Sequence, residues 1–393
     1  MSERRLLMIP GPIIFEPSVL RSLSIGHLSH MAPEFTEIFA DSLRKLRELM
    51  FVDENYKVVI MTGSGTLAME ASTANFLNEN DNVLVVSNGY FGDRMHEILR
   101  KYPVNVDVLR VKEPGEVVNE ELIIEKLNEK RYSLIAVTHV DTSTAVRQNI
   151  EKLGKIVREY DALLVVDGVC SVAGEEIRMK DWGIDIVFTG SQKAIGVPVG
   201  LALIWISPKA LDRLKETRAK LAPYYMDLNK WIDIMDSYEK LNPKYFATPA
   251  VNLIVGLNES LNLILEEGLE RRFKRHRVLS KAFREGIRSL GLEILAKSEE
   301  WAASTVTAIY LPEQIKLSDF KREMLNRNVV VAGGLYEGIK DRYFRVGHMG
   351  PVNANDIVAT IAAIERSLLK LGYPIKIGSG LMAVQKALNE SNY

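Results

Sequence analysis

Seven runs rich in Val, Ile and Leu, each of strand length, lie at 58–62, 83–86, 104–111, 133–138, 163–167, 185–189 and 200–206. Helical stretches separate several of them, for instance 119–129 and 149–160. Strands that are apolar throughout are buried on both faces, and strands alternating with helices build a parallel sheet covered on both sides. The pattern predicts an α/β fold around a mostly parallel sheet. Ligands of such sheets bind past the carboxyl ends of the strands. Ser64, Thr138, Asp167 and Lys193 all fall there.

At 393 residues the chain suits two domains. Pro10-Gly11-Pro12 cannot be regular structure, so residues 1–20 read as an extended N-terminal arm. Residues 21–265 read as a large domain and 266–393 as a small one. The stretch 208–248 is polar and aromatic and reads as an irregular connection. An amphipathic pattern opens at 250, with Leu253, Leu257, Leu261, Ile264 and Leu265 at helical spacing; Gly268 interrupts it and helix resumes to 289. Beyond it the strands are shorter (292–296, 304–311, 328–332 and 342–346), with helices predicted at 317–326 and 353–369, which points to an α+β unit.

Apolar and charged fractions of 47% and 26% are those of a soluble globular enzyme. The net charge of −1 and the lack of a basic block argue against nucleic acid or an anionic membrane as partner. The apolar runs are too short for a membrane span, and the N-terminus carries Arg4 and Arg5 but no apolar signal segment. One cysteine, Cys170, excludes intramolecular disulfides and CxxC metal sites, which fits a reducing cytosol and a cytoplasmic protein. His27 and His30 have the spacing of a metal pair but no third ligand, so no metal is expected.

Lys193, in Gly190-Ser191-Gln192-Lys193, follows the strand 185–189. An amine desolvated on one side and open to a cleft on the other has a lowered pKa and attacks aldehydes. Taken alone, it reads as a solvated loop lysine, and its partners reverse that reading. Asp167 ends the strand 163–167 and could cap the next turn. Together they suit pyridoxal 5′-phosphate: the amine bonds the aldehyde, and the carboxylate keeps the pyridine nitrogen protonated so that the ring accepts electrons.

Gly63-Ser64-Gly65-Thr66 opens a helix straight after a strand. Its glycines admit a ligand close to the backbone and its free N–H groups suit a phosphate; an ordinary turn capped by Ser64 or Thr66 is the alternative. It lacks the second half of GxGxxG and the Walker lysine, so nucleotide readings are poorly supported. Phe91, in Asn88-Gly89-Tyr90-Phe91-Gly92-Asp93, can lie flat on a ring or plug a sheet edge. The hydroxyls of Thr138-His139-Val140-Asp141-Thr142-Ser143-Thr144 could bond a phenolate oxygen or merely shape a turn. Cys170 reads as a small buried side chain. Arg345 is a charge in an otherwise apolar strand, which calls for a salt bridge or a substrate carboxylate gripped in bidentate fashion.

With these residues in hand, the chain resembles the class V aminotransferases, among the fold type I pyridoxal phosphate enzymes. The alanine–glyoxylate and serine–pyruvate aminotransferases are the nearest likeness. The similarity runs from Pro10-Gly11-Pro12 to about residue 370. Gly63-Ser64-Gly65, Asn88-Gly89, Thr138-His139, Val166-Asp167 and Gly190-Ser191-Gln192-Lys193-Ala194 match in order and spacing. The resemblance implies a large domain with a mostly parallel seven-stranded sheet plus a smaller α+β C-terminal domain.

It implies that Lys193 would hold the cofactor and shuttle a proton, and that Asp167 would pair with the pyridine nitrogen. Ser64, Gly65, Thr66 and Gln192 would hold the phosphate, Phe91 would face the ring, Thr142 would sit near its hydroxyl and Arg345 would bind the substrate carboxylate. Tyr245 and Thr248 look like the pair that reaches the neighbouring subunit's phosphate, which implies a homodimer with shared sites. Phe91 stands where some members have tryptophan, and Thr66 where those members have histidine. Ser391-Asn392-Tyr393 carries no peroxisomal signal.

The implied reaction moves an amino group from alanine or serine to glyoxylate or pyruvate in ping-pong order. No second arginine is evident for a distal carboxylate. The alternatives are a phosphonate or phosphoserine transaminase, a β-lyase or desulfurase-type enzyme and, outside the family, a nucleotide-binding α/β oxidoreductase.

Overall fold

The computed structural model describes residues 5–24, 26 and 28–391. Its centre is a seven-stranded sheet made of β1 (Lys57–Gly63), β2 (Asn82–Ser87), β3 (Asn105–Arg110), β4 (Leu134–Thr138), β5 (Leu163–Asp167), β6 (Ile186–Gly190) and β7 (Gly200–Ile206). The spatial order is β1-β7-β6-β5-β4-β2-β3. All neighbours are parallel except at β7, which runs antiparallel to both β1 and β6. Every residue of β4, β5 and β6 is buried, as their unbroken apolar sequences require. Register places Thr138 beside Asp167 and Asp167 beside Phe188, so the strand ends align along one edge.

Helices Gly65–Ala74, Tyr90–Leu99 and Ile150–Val157 pack on this sheet. The C-terminal part has its own apolar core, with Leu279, Phe283, Phe320, Phe344, Ile357 and Ile361 all at 0% exposure. It is built on an antiparallel sheet in which Tyr343–Gly347 lies between Val306–Tyr310 and Ala332–Gly333. Helix Val251–Glu267 ends at Gly268, whose φ of +81° is left-handed, and Leu269–Ser289 follows at once.

Three expectations are corrected. The stretch 208–248 is not irregular: it holds helices Pro208–Thr217 and Leu228–Glu239. Ser207 caps the first by accepting from Ala210 N, with Pro208 at the opening turn, and Asp227 caps the second through Asn229 N. Trp231, Ile234, Met235 and Tyr238 form the second helix's buried face, so its aromatics are core. The run 292–296 is no strand but a single bridge, Ile294 with Ile309. The run 328–332 divides between two sheets, because Val329–Val330 pairs in parallel with Leu6–Leu7 while Ala332–Gly333 joins Tyr343–Gly347.

That pairing ties the N-terminal segment to the C-terminal sheet. Met8 N donates to Val330 O at 2.9 Å, and Gly347 N to Met8 O at 3.0 Å. A side chain at Gly347 would collide with the carbonyl of Ile9, so only glycine lets the segment pass. Among the described residues no helix is long and apolar enough to cross a membrane.

Candidate active site

β5 and β6 deliver the two central groups. Asp167 is the last residue of β5 and is 2% exposed. It accepts one bond, from Val169 N at 2.9 Å. Burial pushes its carboxyl up to about 7; Asp141 adds to this, while the Val169 N–H, Lys193 and Arg94 oppose it. Lys193 lies on the loop after β6. Burial lowers its ammonium pKa, Arg345 and Arg94 act in the same direction, and Cys170 and Asp167 act against it. Its Nζ donates to Pro10 O at 2.5 Å. The Pro10-Gly11-Pro12 segment therefore lies over the amine. A Cβ on Gly11, whose φ is +136°, would come within 2.8 Å of Nζ.

The turn after β1 meets the same loop. A Cβ on Gly190 would lie 2.8 Å from Gln192 Oε1 and 3.0 Å from Gly65 N, so these groups converge on a space that side chains must leave free. Helix Gly65–Ala74 presents its N-terminus there, and Ser64 makes no side-chain cap bond, against the expectation that it might simply cap a turn. Gln192 Oε1 is buried without a partner among the described residues. Thr66 is exposed at the mouth.

Across the site, Phe91 lies in the first turn of helix Tyr90–Leu99. The Arg94 guanidinium stacks 4.9 Å from its ring centroid and 5.0 Å from that of Tyr90. Thr142 is buried, and its carbonyl accepts from Arg345 Nη1 at 3.2 Å. Arg345 Nε donates to Gly333 O at 2.7 Å. Among the described residues Arg345 has no carboxylate partner, and its Nη2 makes no hydrogen bond, so the salt-bridge alternative does not hold there. Burial lowers its pKa as well.

Lys193 and Asp167 thus lie at the carboxyl ends of the central strands, Arg345 reaches Thr142 O from the C-terminal sheet, and Phe91 lies on a neighbouring helix. Gly65, Ser64 and Gln192 gather beside Lys193. It does not bring Tyr245 and Thr248 into that cluster. They lie on an exposed loop, bonded to each other at 3.3 Å, with Tyr245 at 64% exposure and 5.6 Å from the His30 ring. His27 lies outside the described residues, and no group of acidic, histidine and cysteine side chains that could hold a metal exists among them.

Three participants escaped the sequence reading. The Pro10 carbonyl has no side-chain signature. Arg94 looks like any helix-surface arginine; its guanidinium lies against Phe91, and its charge acts weakly on both Asp167 and Lys193. Asp141 stood inside the polar run read for its hydroxyls.

Residues 20–336 match the family model described as aminotransferase class-V. The chain belongs to this family. It is 38% identical over 361 residues to alanine–glyoxylate aminotransferase 1 of Saccharomyces cerevisiae, covering 89% of this chain and 93% of that one. It is 37% identical over 389 residues to an uncharacterized aminotransferase of Methanocaldococcus jannaschii, covering 98% of each. The solved pyridoxamine–pyruvate aminotransferase of Mesorhizobium loti superposes with a TM-score of 0.93 at 26% identity, covering 99% of this chain and 98% of that one. The fold is type I of the pyridoxal phosphate enzymes, and the protein is a class V aminotransferase whose cofactor is pyridoxal 5′-phosphate. The donor set fits such a group: an amine, a carboxylate, a helix N-terminus and an unpartnered buried amide converge where glycines keep side chains out.

Proposed function

We propose that the enzyme moves an amino group from alanine or serine to glyoxylate or pyruvate in ping-pong order. It would do so as a cytoplasmic homodimer with sites shared between copies. The observation that carries the substrate class is Arg345, a nearly buried guanidinium held by two carbonyls and, among the described residues, with no carboxylate of its own. Its free edge suits a substrate α-carboxylate in bidentate contact. The yeast relative's name supplies alanine and glyoxylate, and the Mesorhizobium structure's name supplies pyruvate.

When bound, the cofactor supplies the electron sink that stabilises charge at the substrate α-carbon. The chain's own residues do the rest. Lys193 Nζ, which burial favours in its uncharged form, would hold the cofactor's aldehyde and, once freed by the substrate amine, would be the base placed to move the α-proton. Asp167 would pair with the pyridine nitrogen, and a cation there would lower a carboxyl that burial raises to about 7. Gly65 N, the Ser64 and Thr66 hydroxyls and the Gln192 amide would hold the phosphate. Phe91 would cover the ring, and Thr142 would serve its hydroxyl. Tyr245 and Thr248 of a second copy would complete the phosphate site. In this reading residues 1–20 form the arm, 21–265 the large domain and 266–393 the small one.

A desulfurase reading needs a reactive thiol on an open loop. Cys170 is 1% exposed, packed 3.7 Å from Thr305 Oγ1, and burial raises its pKa. Phosphonate and phosphoserine transaminases differ in what their substrates carry away from the α-carbon, and kinetics separate them. The test is kcat/KM for alanine, serine, aspartate, glutamate, phosphoserine and aminoethylphosphonate with glyoxylate as acceptor. Alanine or serine should lead. A tenfold advantage for a doubly acidic donor would overturn the assignment.

A further inference from the structure

Asp141 has the most fully occupied carboxylate near the site, and the reaction described above gives it no task. It is 0% exposed. Its Oδ1 accepts from Ser143 N at 2.9 Å and from Ser143 Oγ at 2.6 Å. Its Oδ2 accepts from Phe91 N at 2.9 Å and Gly92 N at 3.2 Å. One carboxylate therefore bonds the two groups that flank the site from different elements. On one side it is the anion at the N-terminus of helix Tyr90–Leu99, where free N–H groups and the helix dipole favour negative charge. On the other it fixes the turn Asp141-Thr142-Ser143.

The connection continues in both directions. Ser143 Oγ accepts from Tyr90 N at 3.0 Å, a second tie between the turn and the helix. Tyr343 Oη donates to Ser143 O at 2.6 Å, and Thr142 O receives Arg345 Nη1. The helix start can approach this closely because residue 89 is glycine: a Cβ there would sit 2.5 Å from Ser143 Oγ and 2.7 Å from Asp141 Cγ. Burial raises the Asp141 pKa, and the bonds from Ser143, Gly92 and Phe91 work against this.

We propose that Asp141 is a positioning residue for the cofactor ring, setting the distance between Phe91 and Thr142 and, through Thr142 O, steadying Arg345. Its role runs through Phe91, Gly92 and Ser143, whose donors occupy both carboxylate oxygens. The inference rests on the aminotransferase reading and on Phe91 and Thr142 both facing the ring. An amide in place of the carboxylate keeps the shape but turns an N–H₂ toward either the Ser143 donors or the Phe91 and Gly92 donors, so one side must move away.

The experiment uses full-length Asp141→Asn and Ser143→Ala, each first stripped of cofactor. Four quantities are measured: the melting temperature of the stripped protein, the dissociation constant for pyridoxal 5′-phosphate, the visible circular dichroism per bound cofactor, and kcat and KM with alanine. For Asp141→Asn, cofactor affinity should fall about tenfold or more, in line with the loss of charge-assisted hydrogen bonds. The visible dichroism should change in shape, and kcat should fall more than KM rises. Ser143→Ala should move each quantity the same way by less. A variant that melts earlier yet binds cofactor with wild-type dichroism and affinity would make Asp141 a scaffold residue and overturn the proposal. If Asp141→Asn does not fold, Ser143→Ala decides by the same criterion. Wild-type protein that binds no cofactor would instead sink the aminotransferase reading, visibly and before any variant is compared.

Discussion

At the residue scale, two titrating groups set the terms. Buried Asp167 in cofactor-free protein has its carboxyl at about 7, against 3.8 for the ordinary group. The stability that its protonated form contributes is fully present below about pH 4 and is lost as pH rises through 7. Asp167→Asn removes that dependence. Melting curves of cofactor-free wild type and variant should therefore diverge between pH 4 and 7, the variant gaining about 1.4 kcal/mol for each unit of pKa shift removed. With cofactor added, the ranking reverses: the variant should lose α-proton abstraction by orders of magnitude, because a neutral amide does not hold the pyridinium proton. Parallel melting curves, or turnover within a few-fold of wild type, would reduce Asp167 to a turn residue. Lys193→Ala should bind the cofactor without turning over. Borohydride treatment of wild type should fix the cofactor to the peptide carrying Lys193, and labelling elsewhere would refute that assignment.

These two residues were legible together, because Asp167 ends an apolar strand and Lys193 closely follows its neighbour. Arg345 was legible for a related reason, as a cation within an apolar strand. The Pro10 carbonyl over Lys193 was not, because a backbone acceptor leaves no mark in the sequence. Arg94 and Asp141 were hidden by neighbours: one lies on a half-exposed helix, the other among hydroxyls.

At the scale of elements, the seven strands were readable because burial on both faces makes them continuously apolar. The helices of 208–239 were not, because their aromatics and charges obscured the period. Their ends were nevertheless written in the caps, Ser207-Pro208 and Asp227. Ser207 also donates to Asp185 Oδ1 at 3.0 Å. Ser207→Ala therefore removes a cap and strands a buried acceptor, and should cost about 1–2 kcal/mol in urea unfolding. An unchanged midpoint would show that the helix is held by its packing alone. The run 328–332 misled for another reason: from Val329 to Ala332 it holds only Val and Ala, with no turn residue to show that two sheets divide it.

At the scale of the molecule, the proposed dimer puts the exposed loop with Tyr245 and Thr248 at a second copy's site. Mixing Lys193→Ala subunits with subunits altered at both Tyr245 and Thr248 tests this. Composite sites predict that a mixed dimer carries both defects in one site and neither in the other, so activity partly returns. Proven subunit exchange without recovery would mean that each site is built from one chain.

The pairing of Leu6–Leu7 with Val329–Val330 has a consequence in time. During synthesis, residues 6 and 7 leave the ribosome roughly 300 residues before their strand partners exist. They cannot dock until the C-terminal sheet has formed, and Pro10 reaches Lys193 Nζ only when they do. The earliest segment made is thus among the last to be placed, and a nascent or truncated chain lacking residues 329–347 would hold a folded large sheet with an uncovered amine. Closure of the site reports that both ends of this long span have met.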